Sequence, residues 1–476
     1  MKLSQEQILQ ISKGDKEIAA FITLLTDRIE QLENRVKDLE RQLGKDSNNS
    51  SKPPSSDGLR KPTNLRQPGG KKGAPKGHPG NTLNFSSTPD EVVVHSLATC
   101  HHCAHSLGQV SVQRYIKRQV FELPLPRLVI TEHRIEEKCC PACNTVQQAR
   151  FPSGVKAPVQ YGESFAAWTA YLSAYQLLPL ERIAQLFTDL TGYRPSEATL
   201  LNQIQTMADV AAAQEQVVKD QLCNEPLLHC DETPMRVNTK PYYLHTHSTS
   251  EWTLLMAHEN RCGKALIEMD VLPSYQGIVV HDFLSAYFKP EFGYKHALCN
   301  AHLLRECQGI AEHDHHQWAS DMKELLQKCW EEVKAARAAQ VPLSDQQIAE
   351  IEQRYDDILA KGKAEWAKDP VPAKTGPRGR KCKSPAANLG QRFELHKESI
   401  LRFLCDPRVP FDNNQAERDI RMSKVKQKVS GCFRTPSGVK QFASIRGFIS
   451  NLLKQRLPLH TSLVSALRGQ FQFRLT

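Results

Sequence analysis

Residues 226–283 decide the fold, and five runs within them carry the reading: PLLHCDE (226–232), PYYLHTHST (241–249), EWTLLMAHE (251–259), CGKALIEMDVL (262–272) and GIVVHDF (277–283). Four are short and rich in aliphatic or aromatic residues, as strands are, whereas the fourth run has apolar residues at helical spacing. Three consecutive strands, a helix and a further strand predict a mixed α/β unit. Asp231 closes the apolar run PLLHC and Asp282 closes GIVVH. A carboxylate just past a buried strand is costly unless something compensates it, and a divalent cation does so well. If the two strands are neighbours, both carboxylates lie at one edge of the sheet. Glu232 is the rival to Asp231; because side chains alternate along a strand, the two are not expected to point inward together.

A third acid comes from DNNQAERDIRMSKVKQKVSGCFRT (412–435). After Glu417 stand Arg418, Arg421, Lys424, Lys426, Lys428 and Arg434, opposed by Asp419. A helix that opens on amides, carries a glutamate in its first turn and then turns basic suits a polyanion met by a carboxylate. Helical spacing does not aim all these cations at one face, so they are not all expected to meet one segment of polyanion. The structural alternative is a capping box of Asn414 with Glu417, and Asp412 and Asp419 are rival acids. Asp231, Asp282 and Glu417 together could hold two Mg²⁺ ions that activate a water or 3′-hydroxyl and stabilise a leaving oxygen.

Between the strands and this helix the chain is polar and helical from His302 to about Lys368, and it resumes as helix near Asn388. Cys299-Asn-Ala-His302 reads either as a second zinc site or as a helix start presenting His302 and Arg305 to DNA. The loop DPVPAKTGPRGRKCKSP (369–385) holds Lys374, Arg378, Arg380, Lys381 and Lys383 without an acid after Asp369. It reads as a DNA-contacting loop, with a solvated tip as the alternative.

Upstream, LERIAQLFTDLTGYRPSEATLLNQI (180–204) gives a helix, a turn at Gly192 and a second helix from Ser196, which is a helix-turn-helix candidate or a plain αα-hairpin. Residues 85–157 hold short β-like runs, EVVVHSL, YIKRQVFELP and LVITEHRIEEK, and two knuckles, Cys100-His-His-Cys103 and Cys140-Pro-Ala-Cys143. Each C-x-x-C places two thiolates on one side of a tight turn, so Cys100, Cys103, Cys140 and Cys143 make the ligand set of a structural Zn²⁺. Cys139, His101, His102 and His133 are spare donors. Near the start, Ile18, Ile22, Leu25, Ile29, Leu32, Val36, Leu39 and Leu43 alternate spacings of four and three, the seam of a coiled coil that predicts a homo-oligomer. A Pro/Gly/Ser/Asn-rich basic linker follows.

The chain of 476 residues carries a net charge of +10, concentrated in loops, which points to nucleic acid. Its start is too polar for a signal peptide, no apolar run reaches transmembrane length, and its 14 cysteines read as reduced thiols and metal ligands. The expected location is therefore cytoplasmic, with no membrane partner.

These motifs resemble those of the transposases of the insertion sequence 66 family, nearly end to end. SNNSSKPPSSDG (47–58), the paired-cysteine module, HCDET, HDFLSAY, CNAHLLRE and above all DNNQAERDIRMSKVKQKVSGCFRT are similar to its signatures. Cys139-Cys140 and ISNLLKQRLPLH (449–460) depart from them. The resemblance implies a ribonuclease H-like catalytic domain of the DDE type, interrupted by a helical insertion, with Asp231, Asp282 and Glu417 as catalytic triad. It implies Mg²⁺ (or Mn²⁺), two per active site. The partners would be terminal inverted repeats, target DNA and accessory element-encoded proteins, in a bacterial, nucleoid-associated setting. The expected parts are a coiled-coil helix (1–43), the linker (44–84), the zinc module (85–157), a helical DNA-binding segment (158–222), the first catalytic part (223–310), the helical insertion (311–405) and the part bearing the glutamate (406–476). Two other readings are a non-catalytic DNA-binding regulator derived from such an element and a structure-specific nuclease.

Overall fold

The computed structural model describes residues 5–50, 83–124, 126–369 and 383–475. They divide into two compact units. The smaller is drawn from within Asn64–Glu132 and Asp189–Gly192, the larger from within Met1–Thr63, His133–Thr188 and Tyr193–Thr476.

In the smaller unit, Thr99 and Ser106 form an isolated antiparallel bridge around the first knuckle, and the Gln119 carboxamide pairs with the backbone of Ser86 at 2.7 and 2.8 Å. The β-like runs expected at 91–97, 115–124 and 128–138 form no ladder among the described residues, save that the last ends in a short strand. Their valines and isoleucines, such as Val92, Ile116 and Val129, are exposed, so alternation there reflects no buried sheet face.

The larger unit begins with α1 (Gln5–Ile11) and the long α2 (Lys16–Gly44), capped by the Asp15 carboxylate on the N–H groups of Glu17 and Ile18. A small hairpin, β1 (Glu137–Cys139) and β2 (Val146–Gln148), frames the second knuckle. Then come α3 (Glu163–Ala170), extended by a π-helical turn to Tyr175, α4 (Leu180–Thr191, whose residues from Asp189 on count with the smaller unit), α5 (Glu197–Ala213) and α6 (Glu215–Asn224). Gly192, at φ 77°, makes the turn after α4, and Ser196 caps α5. The face of α5 bearing Leu200, Ile204, Met207 and Ala211 is buried in the core, so this helix is at least a structural wall.

The sheet follows: β3 (Leu227–Val237), β4 (Lys240–Ser248), β5 (Thr253–His258), then α7 (Gly263–Glu268), β6 (Ile278–His281), a 3₁₀ turn at Ser285–Phe288 and β7 (Lys295–Leu298). Its order is β5-β4-β3-β6-β7, with β3, β4 and β5 antiparallel and β6 and β7 parallel to β3. The crossover through α7 is what permits the parallel pairing. β7 was not foreseen, because KHAL is four residues long and has no pattern of its own. β6 is buried on both faces, which explains its unbroken apolar run.

Beyond β7 lie α8 (Asn300–His313), α9 (Gln317–Ala338), α10 (Asp345–Trp366), α11 (Pro385–Leu395) and α12 (Lys397–Cys405). They build a second core against Ile278, Val280, Ala297 and Leu298, while α3, α5, α6 and the C-terminal helices pack on Leu228, Cys230 and Val279 from the other face. The C-terminal helices are α13 (Asn414–Ser430), α14 (Pro436–Lys454) and α15 (Leu459–Leu467). After α13, Gly431 at φ 72° turns the chain so that Phe433 bridges Val237 at the tail of β3. That clip and the burial of Ile420 lay α13 along β3 and β4. The result is a mixed five-stranded sheet covered by helices, as in nuclease-like cores.

Candidate functional site

Asp231 does not end its strand, as its apolar run led us to expect. β3 continues to Val237, but pairing with β6 stops at His229, opposite Val280. Asp231 therefore sits where β3 loses its parallel neighbour, and Asp282 is the first residue past the end of β6. The Asp231 carboxylate folds onto the strand's own backbone, accepting from the Glu232 N–H at 2.8 Å. Asp282 accepts from the Leu284 N–H at 2.9 Å.

The expectation that Asp231 and Glu232 point to opposite sides is corrected. Carboxylate oxygens of Asp231, Glu232 and Asp282 lie within 4.8 Å of one another. With no strand on the β6 side of β3 at this point, although β4 still pairs on the other, a glutamate is long enough to bring its carboxylate back toward its neighbour's. Glu232 is held there by Arg261, through Nε at 2.8 Å and Nη2 at 2.6 Å, and by the Tyr287 hydroxyl at 2.9 Å. Arg261 Nη2 also lies 3.5 Å from Asp282. Neither Arg261 nor Tyr287 stood out in the sequence, because nothing in its local pattern marks a partner 29 or 55 residues away.

Glu417 arrives from the first turn of α13. The helix N-cap is Asn413, whose side chain makes no cap bond, so the capping box of Asn414 with Glu417 is not formed. Instead the Asn413 carboxamide donates to the Cys230 carbonyl at 2.7 Å and meets His229 Nδ1 at 2.8 Å, pinning the helix start to β3. Asp412 accepts from the Asn414 N–H at 3.1 Å, and Asp419 pairs with Lys454 at 2.7 Å, so both rival acids have structural partners. Glu417 lies within 4.8 Å of Cys299 Sγ and a ring nitrogen of His302. Cys299 is buried and accepts from the Asn413 N–H at 3.3 Å. Burial pushes the His302 pKa down to about 4, which leaves a neutral ring.

The two clusters feel each other's charge. Burial, then the charges of Glu232, Asp282 and Glu417, raises the Asp231 pKa well above the ordinary carboxylate value. Burial and Glu232 push Asp282 up to about 6. Burial raises Glu417, against the pull of Arg305 and Arg421. Carboxylates that destabilise one another in a desolvated place are the environment that a divalent cation relieves. The donors of the Asp231, Glu232 and Asp282 cluster are all hard oxygens, which suits a hard divalent cation, whereas Cys299 and His302 put sulfur and nitrogen beside Glu417.

Of the basic residues, Arg418, Arg421, Lys428 and Arg434 are exposed around α13 and its exit. Lys424 and Lys426 are half-buried, with Lys424 donating to the Pro234 carbonyl, so these two are turned toward the protein. Arg305 is half-buried on α8. Lys374, Arg378, Arg380 and Lys381 lie outside the described residues.

The two knuckles have the same backbone. In the first, Cys100 N–H donates to His105 and its carbonyl accepts from Ala104, at φ 57°. In the second, Cys140 N–H donates to Thr145 and its carbonyl accepts from Asn144, at φ 51°. Backbone N–H groups of Cys103 and His102 lower the Cys100 pKa, and the Thr145 hydroxyl and N–H lower that of Cys143.

No curated protein matches the chain. Residues 4–84 match a family of unknown function (DUF6444). Residues 158–441 match the family described as Transposase IS66 family, a span that includes the whole sheet, the helices beyond it and α13 with Glu417. With well over half its length matched, through every element that builds the carboxylate site, the chain belongs to the IS66 family of transposases.

Proposed function

We propose that this transposase is a DDE enzyme that binds the ends of its element, cleaves phosphodiesters and joins 3′-hydroxyls to target DNA. The observation that carries the proposal is the cluster of Asp231, Glu232 and Asp282 where β3 loses its parallel neighbour, with Glu417 on α13 near enough for its charge to raise the Asp231 pKa. The order of strands, three antiparallel and then two parallel across a helix, supports a ribonuclease H-like core. Asp231, Asp282 and Glu417 would hold the divalent cations, which when bound supply Lewis acidity to the attacking and leaving oxygens. The chain's own contribution is to place the carboxylates. Asn413 fixes the start of α13, and Arg261 neutralises Glu232, so that Asp231, Asp282 and Glu417 supply the excess negative charge. The exposed Arg418, Arg421, Lys428 and Arg434 would track phosphates beside the scissile bond.

The knuckles support a structural zinc role, checked by the zinc content of purified protein before and after Cys100→Ser or Cys140→Ser. A mobility assay tests the main reading, using a marker flanked by the DNA bordering this gene. Wild type should move it, and Glu417→Gln or Asp282→Asn should reduce movement roughly 10³-fold, as expected when several kcal/mol of metal-assisted stabilisation is lost. Cleavage without joining would identify a nuclease instead. Movement that survives Glu417→Gln at equal protein level would remove Glu417 from the triad.

A further inference from the structure

The helix α2 is tied to the catalytic part of the chain by a compact turn, and the place it grips is α8, the helix that carries His302 and Arg305. Asp46 and Asn49 build the turn. Asp46 Oδ1 accepts from the Asn48 and Asn49 N–H groups at 2.7 and 3.3 Å, and Asn49 Oδ1 accepts from the Asp46 N–H at 2.8 Å. Ser50, largely buried, donates to the Asp46 carbonyl. The Asn49 carboxamide then reaches outward to Glu312 at 3.0 Å, while Arg41 on the last turn of α2 pairs with Asp314 at 3.0 Å, both of these side chains being 15% exposed.

Gly309 is the receiving position. A Cβ there would lie 2.3 Å from the Asn49 carbonyl oxygen, a backbone atom that cannot swing aside. Glycine in mid-helix costs about 1 kcal/mol relative to alanine. The close approach of the turn supplies a reason for that cost. A cleft lined by Arg41, Lys45, Glu306, His313 and Leu389 completes the contact beside the start of α11.

We propose that residues 41–50, within the stretch that matches a family of unknown function, are a clamp. It docks on the Glu306–Asp314 face of α8 in its own chain and couples the apolar seam of α2 to the helix at the active site. Association through the seam would then be transmitted along α2 to α8, and residues 44–50, expected as the start of a flexible linker, form this ordered turn instead.

Hydrogen–deuterium exchange on the full chain tests this. Amides of residues 41–50 and 306–314 should be protected in the wild type. Gly309→Ala, a better helix former that expels Asn49, should speed exchange of residues 41–50 about tenfold, the factor produced by losing ~1.4 kcal/mol of docking. Arg41→Glu should act in the same direction, and Arg41→Glu with Asp314→Arg should restore slow exchange. Unprotected residues 41–50 in the wild type, or no change in Gly309→Ala, would overturn the clamp. So would a double charge reversal that fails to recover, an arm that remains decisive even if Gly309→Ala misfolds.

Discussion

Asp282 is the residue whose behaviour in solution reports the site most directly. Its pKa is raised from 3.8 to about 6, so between those values the folded protein binds more protons than the unfolded chain. The resulting stabilisation is fully present below the unfolded value and is lost as pH rises through about 6. Metal-free protein should therefore lose stability on the order of 2 kcal/mol between pH 4 and 7, and Asp282→Asn should flatten that segment. Thermal unfolding across this range, with and without Mg²⁺, checks it. Mg²⁺ should restore the loss at pH 7 in the wild type and do so less in Asp282→Asn. Glu232 belongs to the same scale but has a different role, since Arg261 and Tyr287 satisfy its carboxylate and leave it less available to a cation.

The element that organises the site is α13. It is held at its start by Asn413 on β3, along its length by Ile420 in a small core with Met235 and Leu244, and on its flank by the Asp419–Lys454 pair. Both partners of that pair are only 11% exposed, and Lys454 also donates to the carbonyls of Thr249 and Trp252. Removing one charge of a buried pair leaves the other uncompensated, at a typical cost of about 3–5 kcal/mol. Asp419→Asn should accordingly lower the unfolding free energy by that amount, read as a lower denaturant midpoint at an unchanged m-value. An unchanged midpoint would show that Lys454 is satisfied by its carbonyls alone. The basic run that distinguishes this helix is split by the same packing. Lys424 and Lys426 turn toward the protein, whereas Arg418, Arg421 and Lys428 are left at the surface.

At the scale of the whole molecule, the question is assembly. Leu25, Ile29, Leu32, Val36 and Leu39 along α2 are each about half exposed, a continuous apolar face that a second copy of the helix would cover. Leu32→Asp should convert an oligomer to monomers while leaving the sheet folded, as read by light scattering and circular dichroism. Oligomers that persist would place self-association elsewhere in the chain. Among the described residues, no helix is long and apolar enough to cross a membrane. The sequence by itself determined four of the five strands of the sheet, the helical stretch between Asp282 and Glu417, the apolar seam of α2 and the family, because hydrophobic period and long motifs are local properties; it missed β7 and overcalled the runs at 91–138. Only the tertiary structure decided that β6 stops short beside β3, opening the edge where Asp231, Glu232 and Asp282 meet. It alone decided that Glu417 faces Cys299 and His302 instead of closing a capping box. Such facts depend on which strand neighbours which and where their pairing ends. Contacts such as Arg261 with Glu232, Asn413 with Cys230 and Asn49 with Gly309 join residues 29, 183 and 260 positions apart, distances over which no local pattern carries information.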